Sequence, residues 1–151
     1  MKVVISGDHA GWSMKNRLAE ILRASGHAVL DLGAARYDPE DDYPDFAAVV
    51  AHAVADGKAE RGLIVCGSGV GASVAANKVR GVRAGLCHDT YSAHQGVEHD
   101  DVNVLCLGSR IVGESLAIEI VQAFLAARFT NEPRHARRLK KVLEIEKGSH
   151  G

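Results

Sequence analysis

The feature that most constrains the fold is an alternation of short apolar runs with segments of helical spacing along the whole chain. The apolar runs cover residues 3–7, 28–32, 61–66, 82–87 and 102–107, and each leads into a polar or glycine-containing turn. Strands that alternate with helices form parallel sheets through right-handed crossovers. The pattern therefore predicts an α/β fold, a three-layer αβα sandwich around a doubly wound, five-stranded parallel sheet of Rossmann-like type.

The spacing of apolar residues also predicts the helices. The first helix carries Met14, Leu18, Ile21 and Leu22 and closes at Gly26. The next three are predicted over about 42–56, from the turn after residue 66 to about Lys78, and from Asp89 or Thr90 to about Glu98. A fifth buries a stripe of Leu116, Ile120, Val121, Phe124 and Leu125, and an extra C-terminal helix begins near Pro133, with Leu139, Val142 and Leu143 on one side. We interpret the acidic loop over 34–43 as solvated.

Composition narrows the classes of partner and compartment. A chain of 151 residues can bury a core as one domain, so we expect a single domain over residues 1–151 with a flexible tail from about residue 147. The net charge of −1 provides no global field for nucleic acid or anionic lipid. No apolar stretch approaches the ~20 residues of a membrane span. Three cysteines without C-x-x-C spacing favour reduced thiols in the cytoplasm.

The most specific stretch is the turn after the third apolar run, which reads Cys-Gly-Ser-Gly-Val-Gly-Ala-Ser over residues 66–73. Its three glycines let the backbone approach a ligand closely and let successive N–H groups point the same way. The following helix adds the positive end of its dipole, which favours an anion. Cys66 and Ser68 place a sulfur and a hydroxyl beside the same spot. A thiolate is favoured there, so Cys66 is a candidate base, although burial would oppose the charge.

The same turn also fits the dinucleotide-binding fingerprint G-x-G-x-x-G/A, with Asp89 about twenty residues further on. In dinucleotide enzymes this turn normally follows the first strand, and catalysis requires further substrate-binding structure. Here the turn follows the third run, and the chain has no room for a second domain. A tight turn without any ligand is a third interpretation, but it leaves the thiol and the hydroxyl unexplained.

Polar residues that follow the apolar runs predict a shared crevice, because ligands of such sheets bind outside the carboxyl ends of the strands. These residues are Asp8-His9, the turn over 66–71, His88-Asp89 and Gly108-Ser109-Arg110. His9 and His99, each beside an aspartate, are either substrate-binding or structural hydrogen-bonding groups. The chain has neither an H-x-x-x-H motif nor a cysteine and histidine cluster, so we expect no metal and no cofactor.

Basic residues crowd the start of the predicted last helix, at Arg134, His135, Arg137, Arg138, Lys140 and Lys141. Such a run is usually a solvated face. Arg134 and Arg138 are four residues apart, however, so they share one side of a helix and can hold a phosphate group together. The near-zero net charge and the lack of interleaved aromatic residues favour a phosphate clamp over a nucleic-acid surface.

Six motifs follow one another along the chain: Gly7-Asp8-His9-Ala10-Gly11, Asp42-Tyr43-Pro44, Cys66-Gly67-Ser68-Gly69-Val70-Gly71, Ala75-Ala76-Asn77-Lys78, Asn103-Val104-Leu105 and Gly108-Ser109-Arg110. Together they resemble the ribose-5-phosphate isomerase type B family. The wider group includes the galactose-6-phosphate isomerase subunits and allose-6-phosphate isomerase. The resemblance covers nearly the whole chain. It implies the sandwich fold predicted above and a homodimer or tetramer whose active site is shared between two subunits.

The resemblance also implies a role for each matching residue. Cys66 matches the family's catalytic base, which moves a proton between C1 and C2 of the open-chain sugar through a cis-enediolate. Ser68 stands where many members have threonine, whose hydroxyl assists proton transfer between O1 and O2, and His99 matches the residue that opens the furanose ring. Backbone amides that stabilise the enediolate oxygen match Gly67, Gly69, Val70 and Gly71. Substrate-lining residues match Asp8, His9 and Tyr43, and phosphate-binding arginines match Arg110, Arg134 and Arg138, some of them from the partner subunit.

One departure from several members is Asp100, where an asparagine is expected after the ring-opening histidine. An ionised carboxylate near an enediolate would oppose the developing charge, so Asp100 is turned away, protonated or paired with a cation. The resemblance implies cofactor-free isomerisation of ribose 5-phosphate to ribulose 5-phosphate, a step of the pentose phosphate pathway. The alternatives are an isomerase of allose or galactose 6-phosphate, a nucleotide-binding module and a non-catalytic phosphosugar sensor. The presence of Cys66, Ser68 and His99 together favours catalysis.

Overall fold

The computed structural model describes residues 1–148, which contain a five-stranded sheet and six α-helices. The strands are β1 (Lys2–Gly7), β2 (Ala28–Asp31), β3 (Arg61–Cys66), β4 (Ala84–Leu86) and β5 (Val104–Gly108). The helices are α1 (Trp12–Ala24), α2 (Tyr43–Ala55), α3 (Val70–Ala76), α4 (Thr90–Asp100), α5 (Glu114–Ala126) and α6 (Pro133–Gly148), and a single 3-10 turn over His9–Gly11 precedes α1. Every strand pair is parallel, in the order β2-β1-β3-β5-β4. The predicted doubly wound sheet is confirmed.

Alternate residues of the three inner strands β1, β3 and β5 supply two separate core layers, because successive side chains of a strand point to opposite faces. Ile5 and Leu105 pack on the face covered by α1, α4 and α5. Val4 and Ile64 pack on the face covered by α2 and α3. Both faces of the sheet are therefore buried, which explains why the strands read as nearly continuous apolar runs in the sequence.

The order of the strands reverses between β1 and β3. From this point the chain builds outward to β2 on one side and to β5 and β4 on the other. The register pairs Gly7 with Val65 and Cys66 with Gly108, so three strands end at nearly the same level. Ligands of open α/β sheets bind at such a switch point, and the fold therefore places the glycine-rich turn beside the residues that follow β1 and β5.

Two helices differ from the prediction. The third helix ends at Ala76 rather than at about Lys78, because the Lys78 and Val79 N–H groups donate to carbonyls three residues back, at 3.1 Å each, instead of four. The Asn77 side chain donates to the Ser73 carbonyl at 3.0 Å at the same place. Leu116 was expected in the buried stripe of α5, but it is 40% exposed. The rest of the predicted stripe, Ile120, Val121, Phe124 and Leu125, is buried, and Ala117, three and four residues before Ile120 and Val121, starts it in place of Leu116.

β4 and β5 are each shorter than the apolar run that predicted them. β4 covers three residues, because the chain at Val82 is still in a turn, with its N–H donating to the Val79 carbonyl at 3.1 Å. β5 begins at Val104, two residues later than predicted, since the Asn103 side chain accepts from the Arg83 N–H at 2.8 Å and holds the preceding connection.

Among the described residues of the last helix, His135 is the one that is buried. Leu139, Val142 and Leu143 line a groove of about 630 Å³ beside β4, and Val142 is 48% exposed. The helix continues through Gly148 and so includes the first two residues of the predicted tail. The rest of the predicted tail lies outside the described residues. No helix within residues 1–148 is long and apolar enough to cross a membrane.

Candidate active site

A crevice of about 380 Å³ opens at the switch point, beyond the carboxyl ends of β1, β3 and β5. It brings together residues from both sides of the reversal and from the start of α2. Its lining consists of Asp8, His9, Ala10, Tyr43, Cys66, Gly67, Ser68, Gly71, Arg110 and Ile111. Most of the residues that the sequence predicted on the substrate side therefore lie around one cavity, and Ala10 and Ile111 are additions to the predicted set.

Cys66 is the last residue of β3; the residue is 5% exposed and lines the floor of the crevice. The Gly69 N–H donates to its Sγ at 3.1 Å. This bond requires a tight turn, in which Gly69 has a φ of 79°. A Cβ at Gly69 would also lie 2.5 Å from the Leu86 side chain, so only glycine fits. An N–H donor of this kind stabilises negative charge on the sulfur.

Ser68 and the first turn of α3 complete this side of the crevice. The Val70 N–H donates to Ser68 Oγ at 3.3 Å, which holds the exposed hydroxyl beside the turn. Neither Gly69 nor Val70 lines the crevice. Their N–H groups instead bind Cys66 Sγ and Ser68 Oγ, respectively. Tyr43 lies across Gly71, where a Cβ would be 2.6 Å from the Tyr43 Cζ. The absence of a side chain at residue 71 therefore lets the Tyr43 ring cover the start of α3.

The loop after β5 is bonded to the turn after β3. The Ser109 N–H donates to the Cys66 carbonyl at 2.8 Å, and the Arg110 N–H donates to the Gly67 carbonyl at 3.0 Å. Ser109 Oγ donates to the Ala10 carbonyl at 2.6 Å, which joins the loop after β1 to the same assembly. These bonds fix the backbone of Arg110, and its guanidinium lies beside the glycine-rich turn, where a Cβ at Gly67 would be 3.4 Å from a guanidinium nitrogen.

Asp8, His9 and Asp41 bring their polar side chains close together beyond the end of β1. Asp8 is 7% exposed, and its Oδ1 accepts from the Gly11 N–H at 3.1 Å. The Asp41 Oδ1 lies 2.7 Å from His9 Nδ1 and accepts from the His9 N–H at 3.0 Å. The side-chain hydrogen bond to Asp41 raises the pKa of His9, and the charge on Asp8 adds to this.

This group corrects the interpretation of the acidic loop, because the Asp41 side chain is only 10% exposed. Asp41 is a site residue that the sequence analysis missed. One ligand-type atom from each of Asp8, His9 and Asp41 lies within 4.8 Å of the others. His9 and Asp41 hydrogen-bond to each other and Asp8 to the Gly11 N–H, so each of the three side chains already has a polar partner.

His88 and Asp89 do not line the crevice, so their predicted place there is wrong. His88 Nε2 accepts from the Gly108 N–H at 3.1 Å and has a structural role at the end of β5. Asp89 caps α4 by accepting from the Ser92 N–H at 2.6 Å, and this bond lowers the pKa of Asp89. The acid that the dinucleotide interpretation required is therefore a helix cap.

The remaining predicted residues lie away from the crevice of the protomer. His99, in the last turn of α4, stacks on His135 of α6 with ring centroids 3.9 Å apart and planes at 25°. Burial lowers the pKa of His135, and the neighbouring His99, Arg134 and Arg138 lower it further. We name His99, Arg134, His135 and Arg138 the α4–α6 cluster. Asp100 is exposed and lines the groove beside α6.

The chain is similar to known proteins over nearly its whole length. The ribose-5-phosphate isomerase B of Clostridium thermocellum has a TM-score of 0.95 and 45% identity over 99% of both chains. The structure of ribose-5-phosphate isomerase B from Mycoplasma genitalium with bound ribulose-5-phosphate has a TM-score of 0.91 and 43% identity, covering 97% of this chain and 96% of that one. The D-erythrulose-4-phosphate isomerase of Pectobacterium atrosepticum is 42% identical over 132 residues, 85% of each chain.

A model of the family described as Ribose/Galactose Isomerase matches residues 3–142, which include the whole sheet except Lys2, the first residue of β1, and the whole lining of the crevice. The match also includes the α4–α6 cluster. Fold, order of motifs and overall similarity thus agree, and the chain belongs to the ribose/galactose isomerase family, which includes the type B ribose-5-phosphate isomerases.

Proposed function

We propose that this protein isomerises an aldose phosphate to the corresponding ketose phosphate, with ribose 5-phosphate as the leading substrate. The observation that carries the proposal is the Cys66 thiol at the floor of the crevice, 3.1 Å from the Gly69 N–H and beside Ser68 and Arg110. Ribulose-5-phosphate is the ligand of the Mycoplasma genitalium relative, and this supports a five-carbon substrate.

The arrangement fits proton transfer through a cis-enediolate. The Cys66 thiolate takes the proton from C2 of the open-chain aldose, and the electron pair forms the C1–C2 double bond while negative charge develops on O1. The Ser68 hydroxyl gives a proton to O1 and receives one from O2. The Cys66 thiol then returns its proton to C1 as the C2 carbonyl forms, so no proton is gained or lost overall. Within the turn over 67–71, the Gly69 and Val70 N–H groups donate to Cys66 Sγ and Ser68 Oγ. We therefore assign stabilisation of the developing charge to the other N–H groups of the turn and to the positive end of the α3 dipole.

We place the sugar phosphate between Arg110 of one subunit and Arg134 and Arg138 of a second copy of the chain, with His99 of that copy opening the furanose ring. Two features support a shared site. The α4–α6 cluster lies outside the crevice of its own protomer. Large apolar side chains are exposed near the crevice and on neighbouring helices, including Ile111 at 59%, Val70 at 52%, Val74 at 54% and Tyr91 at 65%. A two-fold interface would cover such residues on both copies.

The test of the proposed function is a panel of four-, five- and six-carbon aldose phosphates, assayed for ketose formation with wild type and Cys66→Ala. Loss of a general base typically costs about 10²–10⁴ in rate, so Cys66→Ala is expected to lose catalysis and to keep phosphosugar binding. Cys87→Ala removes a thiol outside the crevice and is the matched control. An active Cys66→Ala protein would contradict the mechanism, and a wild type that converts none of the panel would contradict the function.

A four-carbon substrate is the second candidate, because the Pectobacterium relative is named as a D-erythrulose-4-phosphate isomerase. The crevice chemistry at C1 and C2 is the same for both sugars. The difference is the distance from the reacting carbons to the phosphate, which is one carbon shorter in the tetrose. The ratio of kcat/KM values for the four- and five-carbon members of the panel decides between them.

A further inference from the structure

The carboxylate of Asp41 joins the loop after β2 to the wall of the crevice. Its Oδ1 accepts two hydrogen bonds from one residue, at 3.0 Å from the His9 N–H and at 2.7 Å from His9 Nδ1. Three other acidic side chains of the same loop, Asp38, Glu40 and Asp42, are exposed. Asp41 is therefore withdrawn from solvent and committed to His9, and both the backbone and the ring of His9 are fixed by a single carboxylate.

This arrangement determines which ring nitrogen of His9 is available to a substrate. Nδ1 is occupied by Asp41, and no group within residues 1–148 hydrogen-bonds to Nε2. The His9 side chain lines the crevice and is 31% exposed. We propose that Asp41 is a positioning residue of the isomerase, which holds the His9 ring through Nδ1 so that Nε2–H donates to an anionic oxygen of the sugar phosphate. The proposal rests on the proposed function.

The charged groups around His9 favour the form of the ring that this role requires. The hydrogen bond to Asp41 raises the pKa of His9 and Asp8 adds to it, while partial burial and Arg110 oppose it. Tyr43 of α2 and Cys66 of β3 are the other titratable side chains that line the crevice. The imidazolium carries a proton on both nitrogens, so it can donate to Asp41 and to the substrate at once. A neutral ring with its proton on Nδ1 would present only a lone pair at Nε2 and would repel an anionic oxygen.

The test compares Asp41→Asn, which keeps an oxygen acceptor of the same shape but removes the charge, with Glu40→Gln as a control in the same loop. The ring of His9 is titrated by NMR in the substrate-free protein, with a His9→Asn spectrum for assignment. In Asp41→Asn we expect a lower pKa for His9 and a KM for ribose 5-phosphate that is about tenfold higher on the alkaline side of the His9 titration, and this difference should shrink as the pH falls and the ring becomes protonated in both proteins. Glu40→Gln should match wild type in both measurements.

Two further variants make the result specific to the pair. Asp41→Glu restores the charge, so the pH dependence of KM should return toward that of wild type. Asp41→Asn in a His9→Asn background should add no further loss. An unchanged His9 pKa in folded Asp41→Asn overturns the proposal, and so does a KM that rises equally at every pH, as a purely structural role would predict. The NMR titration needs no substrate, so it tests the pair even if no sugar phosphate is converted, which would overturn the proposed function instead.

Discussion

Two inactive variants of this chain should restore each other's activity when their subunits are mixed. Cys66→Ala removes the proposed base from the crevice, and His99→Ala removes the proposed ring-opening residue from the α4–α6 cluster. In one protomer Cys66 lines the crevice while His99 is stacked on His135 outside it. If each complete site takes Cys66 from one subunit and His99 from the other, a mixed dimer contains one site with both residues intact.

The size of the recovery follows from two-fold symmetry. Random pairing of equal amounts of the two variants gives about one half heterodimers, and each of these has one intact site and one site that carries both substitutions. The mixture should therefore recover about a quarter of the wild-type rate per subunit, and purified heterodimers about one half. Each variant by itself should lose at least about a hundredfold, so the recovery is well above the background.

The assay is the initial rate of ketose formation by heterodimers, isolated through two different affinity tags after co-expression. The matched control pairs Cys66→Ala with Ser68→Ala. Both substitutions lie in the crevice half of the site, so neither site of that heterodimer is intact and no recovery is expected. Isolated Cys66→Ala/His99→Ala heterodimers that are as inactive as their parents would refute the shared site. Recovery by the control pair would show that the two halves have been divided wrongly.

Other contacts lead to shorter predictions. Arg138→Ala should raise KM for the sugar phosphate about tenfold or more, since a hydrogen bond to a charged group contributes about 1.5–3 kcal/mol; steady-state kinetics that show an equal effect for Arg137→Ala would contradict a specific clamp. Gly71→Ala would place a Cβ 2.6 Å from the Tyr43 Cζ, so the exposed ring must swing outward. KM should then rise several-fold while the free energy of unfolding falls by no more than about 1–3 kcal/mol, and an unchanged KM would remove Tyr43 from the substrate side. Burial lowers the pKa of His135 from 6.5, so the stability that its neutral ring provides is complete above pH 6.5 and is lost as the pH falls below that value. Denaturant unfolding should give a smaller free energy at pH 5 than at pH 7, and the same difference in His135→Gln would contradict this origin.

The fold could be predicted where burial and strand pairing coincide. β3 has the bounds that the sequence predicted, because it lies in the middle of the sheet and all of its side chains are buried. β4 is shorter than its apolar run because it is an edge strand. Val82 and Cys87, at the ends of that run, are buried without belonging to the strand. Hydrophobicity reports burial and not ladder pairing, so the two diverge at the edge of the sheet.

The site could be predicted where its residues are adjacent in the chain. The turn from Cys66 is local, and its glycines, thiol and hydroxyl identify it. The bond between His9 and Asp41 joins residues 32 positions apart, and no local pattern separates Asp41 from the other acids of its loop. The error at His88 has a related cause, because β4 lies two strands away from β3 across the sheet. A strand-end position is therefore a necessary condition for the crevice and not a sufficient one.

The three thiols of the chain show why the end of β3 matters for the chemistry. Cys106 is fully buried within β5, and Cys87 is buried after β4; burial raises the pKa of both. Cys106 of β5 pairs with Ile64 of β3. Cys66 lies two residues after Ile64 on β3 and on the same face of the sheet. This extra length of β3 brings the Cys66 sulfur to the Gly69 N–H and to the crevice. Because a shift of one residue would turn the thiol to the opposite face, the length of β3 is as much a part of the proposed site as the sulfur itself.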